Sequence, residues 1–213
     1  MDDLWGAWVE STGEVHDCLF PAMLDAGDDF QSATYFALTG FYRVSVSVLR
    51  SALERMTIAT WAQVSSKGAE YKAWQQGKCA LSFGNACDGL VECTGNLRGH
   101  LRATVSDSLF DQKTSTTEGG FARRIFEGLS EFTHGRPGYS DGDMRRSNGP
   151  IYVKSAFEHV SWIQFETMGL CFLLLLIARR QARLSRNVLD LFGDAKRVKS
   201  RVTRAAFEAL YRP

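Results

Sequence analysis

A chain of 213 residues fits one large or two small domains, and 45% hydrophobic with 23% charged residues buries a sizeable core and excludes a disordered chain. The formal net charge of +1 hides an asymmetry: residues 1 to 42 carry eight Asp or Glu and no Lys or Arg, whereas residues 179 to 213 carry ten Lys or Arg against three Asp or Glu. Five cysteines, Cys18, Cys79, Cys87, Cys93 and Cys171, have no paired spacing, and no charged-then-apolar signal segment precedes them, so a reduced, cytoplasmic protein is expected.

Residues 2 to 26 read as one or two short helices, apolar at Leu4, Trp8, Val15, Leu19 and Phe20, with Pro21 marking a break or a helix start. They make residues 1 to 27 an acidic helical segment outside the main bundle. Asp28 or Asp29 then caps the longest periodic stretch of the chain. Its apolar positions Phe30, Ala33, Phe36, Ala37, Phe41, Val44, Val48, Leu49, Ala52, Leu53, Met56 and Trp61 keep a three-and-four spacing to about Val64. Gly40 is a point of bending in this helix, and the strand-like alternation of Val44 to Val48 is outweighed by the helical period on both sides.

Ser65 to Gly68 is a turn, and YKAWQQG a short connector helix punctuated by Gly77. Residues 85 to 105 read as a helix in which Gly89, Gly95 and Gly99 each cost about 1 kcal/mol relative to Ala, which predicts close helix contacts there. DQKTSTTEGG at 111 to 120 is a polar loop that cannot nucleate a core, and 121 to 134 is a further helix.

Polar chemistry is densest from Leu129 to Tyr152, LSEFTHGRPGYSDGDMRRSNGPIY, which holds His134, Arg136, Asp141, Asp143, Arg145 and Arg146 between two helices. The first helix stops near Gly135, and Pro150 suits the first turn of the next, with Asn148 as its cap. In the apolar segment that follows, the uncharged stretch Thr167 to Ala178 is shorter than the roughly 20 residues a bilayer span needs. It therefore reads as the buried centre of a bundle and not as a membrane helix, re-emerging at Arg179 and Arg180. The remainder, through Asp190 and Gly193 to Tyr211, reads as one or two amphipathic helices. With no convincing strand, the expected fold is a single all-α domain over 1 to 213: an antiparallel helical bundle at about 30 to 180, built from helices near 30 to 64, 85 to 105, 121 to 134 and 150 to 180, with a basic helical segment at 181 to 213.

His134 ends a helix beside an Arg- and Asp-rich loop, where an imidazole serves as general acid or base or, alternatively, caps carbonyls. Glu131 and Arg136 are close to it in sequence. Arg50 and Glu54 stand one turn apart, and Arg43, Ser47, Arg50 and Glu54 form one polar stripe on an otherwise apolar helix; an ion pair that fixes helix packing is the plainer reading of these residues. Asp141-Gly142-Asp143 lacks the ligand pattern of a calcium loop and is turn chemistry, and Cys87, Cys93 and His100 fit no usual zinc spacing. No metal or cofactor is expected.

The long helix containing VLRSALERM, the downstream helix ending in LSEFTHG and the apolar core helix after it resemble the HEPN-like helical-bundle proteins of prokaryotic defence and toxin systems. In that group an Arg, four to six intervening residues and a His near a helix end form a metal-independent ribonuclease site, commonly completed across a homodimer. The resemblance implies that His134 is the catalytic His. It also implies RNA as substrate, and a second copy or a protein from the same operon as partner. Arg123 and Arg124 lie too far upstream for the motif, so Arg136 or Arg50 supplies the positive charge, with Glu54 and Glu131 completing the candidate set. The basic C-terminal segment is read either as an RNA contact or as a solvated face. The alternative function is a non-catalytic bundle for protein binding or assembly.

Overall fold

The structure, a computed structural model, describes residues 18–94, 108–112, 114, 116–134, 150–179, 184, 186–194, 196 and 198–211. Among them the chain is all helix and no strand, in the order α1 (Leu19–Leu38), α2 (Tyr42–Val64), α3 (Gly68–Gln75), α4 (Phe83–Thr94), the single turn α5 (Ser108–Phe110), α6 (Phe121–His134), α7 (Lys154–Ala178), α8 (Arg186–Gly193) and α9 (Arg201–Tyr211). The all-α bundle expected from periodicity is present.

The periodic stretch 30 to 64 is two helices and not one bent helix. At Gly40 the backbone takes φ +83°, with Gly40 N–H bonded to Ala37 O and Phe41 N–H to Phe36 O, so α1 ends in a Schellman cap. The chain then reverses, and α1 and α2 form an antiparallel hairpin: Cys18 N–H donates to Gln63 Oε1, Arg55 pairs with Asp25 and Asp29, and Ser45 Oγ donates to Ala33 O at 2.7 Å. Continuous periodicity on either side of Gly40 concealed the break, because both halves bury their apolar faces against each other. For the same reason α1 starts at Leu19, with Pro21 in its first turn. Asp28 and Asp29 lie inside it and cap nothing, and the boundary drawn at residue 27 falls mid-helix.

Small residues set the spacing of this hairpin. Ala22, Ala26, Ala33 and Ala37 are almost wholly buried on α1, which lets α2 approach closely, as the 2.7 Å bond from Ser45 Oγ to Ala33 O shows. Close approach also explains Gly89, since a Cβ there would overlap the Trp61 indole of α2. Gly95 and Gly99, with the rest of the helix expected to run on to 105, lie outside the described residues. Ser65 Oγ meets Cys93 Sγ, so α4 runs in the same direction as α2, whereas α6 runs against it.

α7 starts at Lys154, not at Pro150. Val153 is its extended N-cap residue, and Val153 N–H donates to Tyr42 Oη at 3.0 Å. The Ile151 backbone packs so closely on Gly40 that no Cβ would fit between them. Gln164 Nε2 reaches Thr34 Oγ1 at 2.7 Å across the α1 seam. From Gly169 to Ile177 every residue of α7 is buried. By length and composition α7 would cross a membrane, yet 67% of its apolar window lies inside the protein. Its far side is covered by α8 and α9: Phe192 stacks on Phe207 and contacts Phe172, and the buried Glu166 accepts from Ser200 N–H and Thr203 Oγ1 at the start of α9.

Candidate functional site: the seam between α2 and α6

The polar stripe on α2 faces α6. Because three-and-four spacing puts Arg43, Ser47, Arg50 and Glu54 on one side of the helix, all four share the line along which α6 passes in the opposite direction. Arg50 Nε donates to Ser130 Oγ at 2.9 Å and Arg50 Nη1 to Glu54 Oε2 at 3.2 Å, while its guanidinium lies 4.6 Å from the centroid of the Phe126 ring. Phe126 in turn stacks on Phe83 at 3.9 Å. Arg50 is thus held on three sides, by a hydroxyl, a carboxylate and an aromatic face. One turn nearer the end of α6, Ser47 Oγ and Thr133 Oγ1 stand 3.4 Å apart. Each hydroxyl also donates within its own helix, to Arg43 O and Leu129 O respectively.

Arg43 Nη2 donates to Phe132 O at 3.4 Å. Phe132 supplies one of the last carbonyls of α6, where the helix dipole favours a cation. A guanidinium offers five N–H groups, and one is used here among the described residues. The geometry therefore places Arg43, not Arg50, at the end of α6 that carries His134. Arg50 belongs about one helical turn further back, at Ser130. The stripe spacing signalled Arg43, but only the antiparallel register shows which of its cations reaches the helix end. The same end is flanked from α7 by His159, whose ring lies edge-on to Phe132 with centroids 5.9 Å apart.

His134 is the last described residue of α6, and the stop expected near Gly135 lies outside the described residues. Its side chain, together with Arg136, Asp141, Asp143, Arg145, Arg146 and the expected cap Asn148, lies outside the described residues. Glu131 is half-buried on α6. The predicted Arg50–Glu54 pair is present, with side chains 23% and 27% exposed.

Other polar clusters serve the scaffold. Arg123 of α6 donates to Phe110 O and pairs with Asp88 of α4, which also accepts from Gln112 Nε2, tying α4, α5 and α6 together. Asp29 pairs with Arg55 at 2.9 Å, yet burial outweighs that cation and holds its carboxyl above 3.8. Burial likewise pushes the Cys87 thiol up to about 12 and raises that of Cys171, so neither is a nucleophile at neutral pH. Among the described residues, no three His, Cys, Asp or Glu side chains cluster as a metal-binding group.

The seam is thus a line of two guanidiniums and three hydroxyls closed by one carboxylate, suited to holding an anion at its Arg43 end. No family model, no curated protein and no solved structure matches this chain.

Proposed function

We propose that this chain is a HEPN-like protein of a prokaryotic defence or toxin system, acting in the cytoplasm as a metal-independent ribonuclease at the Arg43 end of the α2–α6 seam. The observation that carries this reading is the Arg43 guanidinium on the carbonyl of Phe132 in α6, two residues from His134 in sequence. In the proposed reaction the 2′-hydroxyl of RNA gives up its proton to His134 as O2′ bonds to phosphorus and the P–O5′ bond breaks, leaving a 2′,3′-cyclic phosphate and a 5′-oxygen that takes its proton from water. Charge on the phosphoryl oxygens is met by Arg43, with Arg136 as the competing cation. Arg50 positions Ser130 and Glu54 and stays out of the chemistry. RNA contacts the basic C-terminal segment, and the working unit is a homodimer or a complex with a protein of the same operon.

His134→Ala should lower cleavage by about 10² to 10⁴, and Arg43→Ala by about 10² to 10³, with thermal melts close to wild type in both. Arg136→Ala tests the competing cation. Purified protein that leaves RNA intact at several pH values, with and without magnesium and its genomic partner, ends this reading.

A second reading, a non-catalytic assembly module, is favoured by a different observation. Six large hydrophobic side chains stand exposed at the corner where α1, α2 and the lead-in to α7 meet.

A further inference from the structure

The start of α9 is capped only in part by its own sequence. Ser200, the residue before the helix, accepts the Thr203 N–H on Oγ at 3.1 Å, which is one half of a capping box. The other half is a Glu or Gln at the third helical position whose side chain reaches back to the N–H of the cap residue. That position holds Thr203, which has no carboxylate. Glu166 of α7 makes the missing bond instead: it accepts from Ser200 N–H at 2.9 Å and, on its second oxygen, from Thr203 Oγ1 at 3.3 Å. The box is completed by another helix. No acidic residue stands in the first turn of α9, and Arg201 puts a cation at the positive end of its dipole. With 11 residues, α9 is also shorter than the roughly 12 to 15 at which an isolated helix becomes even marginal in water. Its helix therefore depends on being docked.

Glu166 is fully buried at the middle of α7. Beside it on the docking face, a Cβ at Gly169 would come within 3.1 Å of Thr203 Cγ2 and 3.3 Å of the Phe192 ring, and Phe172 lies 5.0 Å from Phe192 between ring centroids. A face with a carboxylate at its centre docks less tightly than an apolar face of the same shape, because the carboxylate gives up its hydration on burial and regains it on release. We propose that α8 and α9 form a clasp that opens and closes on α7 as one unit while the bundle beneath stays folded, and that Glu166 couples its docking to the folding of α9. Opening uncovers Gly169 and Phe172 of α7 and releases the segment that carries the exposed cations Lys196, Lys199 and Arg201. Closing hides the first and fixes the second. The clasp is independent of the ribonuclease reading, and neither needs the other.

Hydrogen exchange of the full chain, resolved by segment, tests the clasp. In the wild-type protein the amides of α8 and α9 should exchange about a hundred-fold or more faster than those of Leu49 and Leu53 in α2, since a local opening costs less than global unfolding. Glu166→Ala should speed α8 and α9 by about a further ten- to hundred-fold and leave α2 unchanged, because the bonds lost are charge-assisted. Glu166→Gln keeps an acceptor for Ser200 N–H and should restore part of the protection. Gly169→Leu drives Thr203 and Phe192 away without touching the carboxylate, and should give the same pattern if Glu166→Ala fails to fold. Wild-type α8 and α9 that exchange no faster than α2 overturn the proposal. So does a Glu166→Ala protein whose α8 and α9 are unchanged, or a pair of variants that speed α2 and α9 alike.

Discussion

The apolar face of α2 buries Leu49, Ala52, Leu53 and Met56, while the face turned towards α6 buries parts of Arg43, Ser47 and Arg50. The polar ties beside the first face run to α1, from Ser45 Oγ to Ala33 O and from Arg55 to Asp25 and Asp29. On the second, each long side chain has a named polar partner. Both faces hold helices together, but by different means. Apolar packing is non-directional and tolerates any approach that fills space, whereas a guanidinium fixes direction and register through its donors. The polar seam is therefore where register matters.

The sharpest way to break this comparison is to hollow the dry face. Leu53 is fully buried, so Leu53→Ala should cost about 2 to 5 kcal/mol in denaturant unfolding. A loss under 1 kcal/mol would mean that this face is not close-packed.

Next in size is the seam. Arg50→Ala removes a hydrogen bond to Ser130, the Glu54 pair and the contact with Phe126, all partly exposed, and should cost about 1 to 2 kcal/mol. Arg50→Met should recover part of that by keeping the aliphatic packing on Phe126. If Arg50→Ala abolished RNA cleavage while Arg43→Ala did not, the assignment of Arg43 to the chemistry would be reversed.

A smaller effect should appear in the pH dependence of stability. Because burial raises the Asp29 carboxyl above 3.8, the folded chain takes up this proton before the unfolded chain does as pH falls. The contribution of Asp29 to stability therefore rises on acidification from the raised value down to about 3.8 and is lost as pH climbs through the raised value. Asp29→Asn should flatten urea midpoints across that window, and an unchanged slope would assign the effect to other groups. The smallest change is expected at Ser47, whose contact with Thr133 is 3.4 Å long. Ser47→Ala should alter stability by less than about 1 kcal/mol.

Helix content, the burial of the segment after Thr167 and the pairing of Arg50 with Glu54 were legible because each depends on residues within a few positions of one another. Helical period and i,i+4 spacing are local properties. The hairpin at Gly40 was not, since the helical period continues on both sides of the Schellman cap there, and the Ile151 backbone that leaves no room for a Cβ comes from 111 positions away. Nor was Arg43, whose place at the end of α6 follows from the antiparallel crossing of two helices far apart in sequence. What the amino-acid order determined by itself was the helical character of these segments and their apolar periodicity. Only the tertiary structure decided which helices pair, in which direction and at what register, because those choices rest on long-range close packing that no local spacing encodes.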